Sequence, residues 1–179
     1  MVKENYGIHI DIENLPLDDK KTYDLYKTGK LCGVFQCESH GMQRTCVDLG
    51  VDRFEDIMAV ISLYRPGPME SIPEYCERKA GKKRISYFHP SIEPFVREIL
   101  STTYGVLVYQ EQVMKICSAL GGMSVTEALV VIKGIGKKKA DVIEKGRKSF
   151  INGAAQNGVP KDVAEQYWDK FITPFAFYG

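Results

Sequence analysis

The stretch from Leu129 to Ile143 holds the densest set of groups able to do chemistry in this 179-residue sequence. Leu129, Ile132, Gly134-Ile135-Gly136, Ala140 and Ile143 fit the spacing of a helix-hairpin-helix. In that pattern a Gly-apolar-Gly turn joins two short helices, and a small residue such as Ala140 lets them pack closely. Turn glycines would leave backbone N–H groups bare, and the second helix would present its positive N-terminus to a phosphate. Lys133, Lys137, Lys138 and Lys139 add charge, and such contacts dominate sequence-independent binding to phosphate backbones. The alternative is an ordinary interhelical turn carrying a solvated lysine run.

No carboxylate set promises metal chemistry. Two-metal phosphoryl transfer needs acids converging on ions about 3.5–4 Å apart. Asp18-Asp19 is an adjacent pair whose side chains diverge at a helix start, and Asp11 and Glu13 share a strand parity without a third partner. Capping explains Asp18 better. Five cysteines (32, 37, 46, 76 and 117) and three scattered histidines form no Cys-x-x-Cys and no zinc spacing, so free buried thiols are expected. Neither a P-loop nor a dinucleotide-binding glycine pattern occurs. The residues alone therefore give catalytic groups: none; metal ligands: none; and one anion site.

Those groups must be positioned by helices. At 44% hydrophobic and 26% charged, the chain can build a core without staples, and no apolar run reaches the ~20 residues of a membrane span. Net charge is +1, yet residues 1–26 carry −3 and residues 127–150 carry +4. Such asymmetry makes one anion-attracting face. Asp18 is expected to cap a helix reaching Lys27 with Gly29 beyond it, and Ser39 and Gly50 to bracket another. Phe54, Ile57, Met58 and Ile61 fall on one helical face and are the expected buried stripe. Arg65-Pro66-Gly67-Pro68 breaks that helix. Further helices are expected over Ile72–Lys79 and Ile92–Leu100, around Val113, Ile116, Cys117 and Leu120, and around Val163, Tyr167, Trp168 and Phe171. The runs Val34–Glu38 and Val106–Val108 are β-like and are expected to be buried or paired as short strands. No linker divides the chain. The fold class is mainly α with a few short β-strands.

Longer blocks then carry a resemblance. Gly33-Val34-Phe35-Gln36-Cys37-Glu38-Ser39-His40-Gly41-Met42, Leu63-Tyr64-Arg65-Pro66-Gly67-Pro68-Met69-Glu70-Ser71 and Thr103-Tyr104-Gly105-Val106-Leu107-Val108-Tyr109-Gln110-Glu111-Gln112-Val113-Met114 resemble signature blocks of the bacterial DNA polymerase III alpha subunit, the C-family replicative polymerases. Leu15-Pro16-Leu17-Asp18-Asp19-Lys20-Lys21, Arg53-Phe54-Glu55-Asp56-Ile57 and Gly136-Lys137-Lys138-Lys139 follow in the family's order.

The resemblance implies an irregular multi-helix fingers subdomain over residues 15–179, with residues 1–14 a lead-in following the palm. It implies that Lys133, Gly134, Gly136, Lys137, Lys138 and Lys139 face the triphosphate of an incoming dNTP. Arg65 and Gln110 are candidates for the same cleft, against plain readings as a turn arginine and a helix-start neighbour. The family's catalytic aspartates lie in the palm, upstream of the matched blocks, so the chain alone is expected to be inactive. Mg2+ is expected in the full polymerase and no cofactor in this segment. Expected partners are DNA primer-template, dNTP, the remaining polymerase domains and replisome subunits, with no membrane and a cytoplasmic location. Phe175-Ala176-Phe177-Tyr178-Gly179 resembles the family's Phe-Ala-Gly-Tyr-Gly, after which an Asn-Lys-Ser-His stretch is missing, as in a truncated product. Where the family carries Arg-Arg-Ala-Met-Gly-Lys-Lys-Lys, this chain has Ile132-Lys133-Gly134-Ile135-Gly136-Lys137-Lys138-Lys139. A lysine is a point charge and cannot reproduce an arginine fork. The alternative function is a non-catalytic module gripping DNA backbone through residues 129–143.

Overall fold

The computed structural model describes residues 2–177, so Tyr178 and Gly179 of the C-terminal block lie outside the described residues. Ten α-helices appear among them: α1 (Val2–Tyr6), α2 (Lys20–Thr28), α3 (His40–Leu49), α4 (Phe54–Leu63), α5 (Ile72–Lys79), α6 (Glu93–Val96), α7 (Gln110–Ala119), α8 (Val125–Gly136), α9 (Ala140–Gln156) and α10 (Lys161–Tyr167). A π-helical turn, Trp168–Ile172, and a tight helical turn, Thr173–Phe177, follow. No strand occurs among the described residues, which corrects the β part of the expected fold class. No described helix is long and apolar enough to cross a membrane. The chain forms two compact units, Met1–Met58 and Ala59–Gly179, and the boundary falls inside α4 rather than in a linker.

In the first unit, α2 packs on α3. Asp19, not Asp18, caps α2: its carboxylate accepts from the Thr22 amide at 3.0 Å and the Thr22 hydroxyl at 2.6 Å. Gly29 ends the helix at φ 68, a left-handed angle that glycine adopts without cost. Ser39 caps α3 and Gly50 closes it, as expected. Tyr26, Leu31, Cys37, Met42, Cys46 and Leu49 fill the core between them. Gly33–Glu38 is a turn, not a strand. Glu38 accepts from the Gly33 amide at 2.9 Å, Gln36 sits at φ 62, and Phe35 is 82% exposed.

Helix α4 corrects a second expectation. Phe54 and Met58 are exposed, whereas Asp56, Ala59, Val60 and Leu63 are buried. The helix is apolar nearly all round, so spacing cannot select its inner face. Asp56 goes inside because it accepts from the Asp52 amide and from Arg53 Nε at 3.1 Å.

The second unit holds the larger core. Val113, Ile116, Cys117 and Leu120 of α7 are fully buried, as the periodicity requires. Trp168 is completely enclosed, its ring 5.2 Å from that of Phe150. Glu93–Val96 is the only α-helical part of the predicted Ile92–Leu100 helix, yet Ile92, Val96 and Leu100 still point inward. Val106, Leu107 and Val108 are buried without being paired as a strand.

Candidate phosphate and nucleotide site

Helix α8 starts at a capping box. The Glu127 amide donates to Ser124 Oγ at 3.2 Å, and the Ser124 amide donates to Glu127 Oε2 at 2.8 Å. The Ser124 hydroxyl, which donates to Glu127 Oε2 at 2.7 Å, and then the Ser124 amide hold the Glu127 carboxyl below its usual range. Ala128, Val131, Ile132 and Ile135 face the core, which turns Lys133 outward.

The helix runs through both glycines, and this corrects the expected hairpin. Gly134 and Gly136 are helical, so they expose no bare turn amides. The reversal is made by Lys137, Lys138 and Lys139, with Lys138 at φ 54. Their amides are used internally, Lys137 to Lys133 O at 3.1 Å, Lys138 to Ile135 O at 3.0 Å and Lys139 to Gly134 O at 2.9 Å. Gly134 serves packing instead. A Cβ there would lie 2.5 Å from Val142 Cγ1, and one on Gly146 would lie 2.5 Å from Val131 Cγ2. These two glycine–valine contacts bring α8 and α9 together, a task the sequence reading assigned to Ala140, which is exposed.

What remains of the expected anion site is the start of α9. Its first intrahelical bond runs from the Ile143 amide to Lys139 O, and Lys139 offers no capping side chain. The amides of Ala140, Asp141 and Val142 are therefore the ones a helix start leaves over. Around them Lys133, Lys137, Lys138 and Lys139 are all exposed, against the single acid Asp141 of the first turn. Ile132 is buried at 9% exposure, so of the neighbours Ile132 and Lys133 only Lys133 reaches solvent.

Arg65 and Gln110 do come together. With Ser62, Val108, Tyr109, Glu111 and Phe175 they line a shallow cleft of about 170 Å3, which the lysine turn does not enter. The link between the two places is Phe175, which joins the core that holds Ile132 and Ile135, on a turn packed against α8. Gln110 opens α7 at a register set by a residue the sequence reading passed over. Buried Gln112 accepts from the Val108 amide at 2.9 Å and the Tyr109 amide at 3.0 Å, and donates to Thr103 Oγ1 at 2.9 Å and Ile99 O at 3.2 Å. Arg78 was also missed. It is buried, donates to Tyr104 O at 3.0 Å and pairs with Glu74 at 2.8 Å, so it holds the Tyr104–Gly105 turn from below.

Among the described residues, no three His, Cys, Asp or Glu side chains gather as a metal-holding cluster. Cys37, Cys46 and Cys117 are buried free thiols, but Cys32 is exposed and Cys76 half-buried, so the expectation of burial holds for three of five.

Comparison with known proteins gives the same reading as the blocks. The bacterial DNA polymerase III alpha subunit finger domain family matches residues 1–158. The chain is 46% identical to the DNA polymerase III subunit alpha of Staphylococcus aureus (strain COL) over 178 residues, 99% of this chain and 16% of that protein. It is also 46% identical to the DNA polymerase III subunit alpha of Thermus aquaticus, over 100% of this chain and 15% of that protein. The chain thus spans about one sixth of the length of these relatives.

Proposed function

The chain belongs to the finger-domain family of the bacterial DNA polymerase III alpha subunit, and from that premise we propose that it holds the triphosphate of an incoming dNTP, beside templating DNA, during template-directed synthesis. The observation that carries this is the α8–α9 turn: four exposed lysines surround a helix start with no capping side chain. Nucleotidyl transfer spreads negative charge over the phosphates, and fixed cations with oriented amides stabilise it without reorganising. Lys133, Lys137, Lys138 and Lys139 supply the charge, and Ala140–Val142 supply the amides. Arg65 and Gln110, in the neighbouring cleft, contact the nucleotide or the template base.

In this reading Mg2+ binds to carboxylates of the polymerase beyond this segment, and the segment alone does not extend primers. Its working partners are primer-template, dNTP, the other polymerase domains and the replisome, in the bacterial cytoplasm. The competing view of a stand-alone hairpin gripping duplex backbone loses its main feature, because both glycines are inside α8. Titration calorimetry of the 179-residue chain with dTTP tests the proposal. Wild type should bind with an affinity that falls steeply as salt rises. Replacing Lys133, Lys137 and Lys138 together by alanine should remove most of the binding without lowering the melting temperature, since all three side chains are exposed. Equal affinity in the triple variant would refute the site.

A further inference from the structure

A cavity of about 890 Å3 opens in the second unit between the Ser86–Phe88 turn and the Tyr167–Phe175 segment, and the triphosphate site does not use it. That volume lies in the range of small-molecule sites. One wall is aromatic. The Phe88 ring meets Phe171 edge-on at 5.4 Å and Tyr167 at 5.8 Å, and Lys170 Nζ stands 5.6 Å from the Phe88 centroid and 5.4 Å from that of Phe171. Phe88 is 37% exposed and held at φ 57, a left-handed conformation a bulky side chain rarely adopts. Strain of this kind persists where the surrounding structure fixes it, and it turns this ring toward the cavity's rim.

Another part of the lining is charged but already compensated. Glu74 is bound by Arg78 at 2.8 Å and by Lys83 at 3.0 Å. Burial alone would raise its carboxyl, but those two cations outweigh it and keep the group below its usual range. Glu70, on the same lining, is the remaining acid. The segment that feeds the cavity is strongly basic. Residues 78–97 contain Arg78, Lys79, Lys82, Lys83, Arg84 and Arg97 against Glu93 alone, a net +5 within a chain of net +1. Lys82 and Arg84 are exposed on the turn that leads to Tyr87 and Phe88.

Aromatic faces interleaved with cations are the chemistry that single-stranded nucleic acid recognises, bases on rings and phosphates on charges. The geometry points to this cavity as a site for an unpaired base of a single strand, stacked on the exposed Phe88 with Phe171 supporting that ring edge-on. Lys170 takes the adjoining phosphate, and Lys82 and Arg84 track the backbone. The site rests on the reading of the chain as a polymerase fingers segment only for the source of that strand, an unpaired template.

Fluorescence anisotropy of the 179-residue chain at low salt tests it, with oligothymidylate of about twelve nucleotides and an abasic strand of equal length as probes. Wild type should bind thymidylate roughly tenfold tighter than the abasic strand, because stacking on an aromatic contributes that much per base. Phe88→Gly, which suits the left-handed backbone, should reduce thymidylate binding to the abasic level, and Phe88→Tyr should retain the preference. Lys170→Gln should lower the salt slope by about 0.7 while leaving the fold unchanged. Equal binding of the two strands by wild type would overturn the proposal. So would a base preference that survives Phe88→Gly, or one that disappears in the Lys133, Lys137 and Lys138 triple alanine variant. That triple variant's dTTP affinity is read separately, so the triphosphate site and the stacking site fail independently.

Discussion

Replacing Gly153 by alanine tests the packing that aims the lysine turn. Gly153 lies in α9, where alanine is the better helix former by about 1 kcal/mol. An added Cβ, however, would stand 1.8 Å from Gly121 O and 2.5 Å from Gly121 C, against the 3.4 Å at which ordinary contact begins. The obstacle is backbone and cannot rotate aside, so α9 must move by roughly 1.6 Å from the α7–α8 junction (3.4 minus 1.8). Phe150 and Ala154 on α9 are fully buried and move with it, away from the buried Leu120 at the end of α7. Overpacking of a tight core costs about 1–3 kcal/mol, and a rigid backbone clash lies at the upper end. Net of the helix gain, Gly153→Ala should destabilise by about 2 kcal/mol and lower the melting temperature by roughly 4–8 °C. Gly136→Ala is the control. It is helical with open space around the added carbon, so it should raise the melting temperature by roughly 2–4 °C. Thermal melts followed at 222 nm give both values. A Gly153→Ala chain that melts with wild type would refute the close approach, and a destabilised Gly136→Ala chain would return Gly136 to a turn.

Other outcomes follow from single side chains. Gln112→Leu removes the acceptor of two backbone amides and the donor to Thr103 and Ile99, so urea unfolding should show a loss of about 3 kcal/mol with an unchanged m-value. Glu127 has a depressed pKa, so its contribution is present above the unfolded carboxyl pKa near ~4.3 and is lost as pH falls through the lower folded value. Glu127→Gln should therefore flatten the acid limb of a stability-against-pH curve, and an unchanged limb would contradict the capping box. Burial pushes the Cys117 and Cys46 thiols up to about 12, the latter with Cys37 beside it, and Cys32 is exposed. Iodoacetamide at neutral pH should label Cys32 quickly and leave Cys46 and Cys117 unmodified in the folded chain, as read by peptide mass spectrometry.

Local signals told most where one residue type has one physical use. Ser39 and Gly50 bracket α3, and Pro73 sits in the first turn of α5, because caps and prolines act through the adjacent backbone alone. The α7 stripe was legible because its polar residues leave one apolar face. Helix α4 was not, since seven of its ten positions are apolar and the Asp56 hydrogen bonds draw one of its few polar residues inside. Gly33–Glu38 alternates like a strand, but the Glu38 carboxylate folds it into a turn over five residues. Gly134 and Gly136 show the deeper ambiguity. A glycine pair can make a turn or let a second helix approach, and the deciding Val142 contact lies across α9. The lysines are exposed as their charge requires, yet the amides a helix start leaves over beside them belong to Ala140–Val142 and not to the glycines. Gln112 and Arg78 each join near partners to far ones, and the far ones, Ile99 and Tyr104, leave no trace in the local pattern.

Backbone amide NMR of the 179-residue chain, titrated with tripolyphosphate at low salt, addresses the central claim most directly. If the α8–α9 turn is the phosphate site, the largest shifts should fall at Lys139, Ala140, Asp141 and Val142 and vanish in the Lys133, Lys137 and Lys138 triple alanine variant. Shifts centred on Lys82–Arg84, with the start of α9 unmoved, would contradict it.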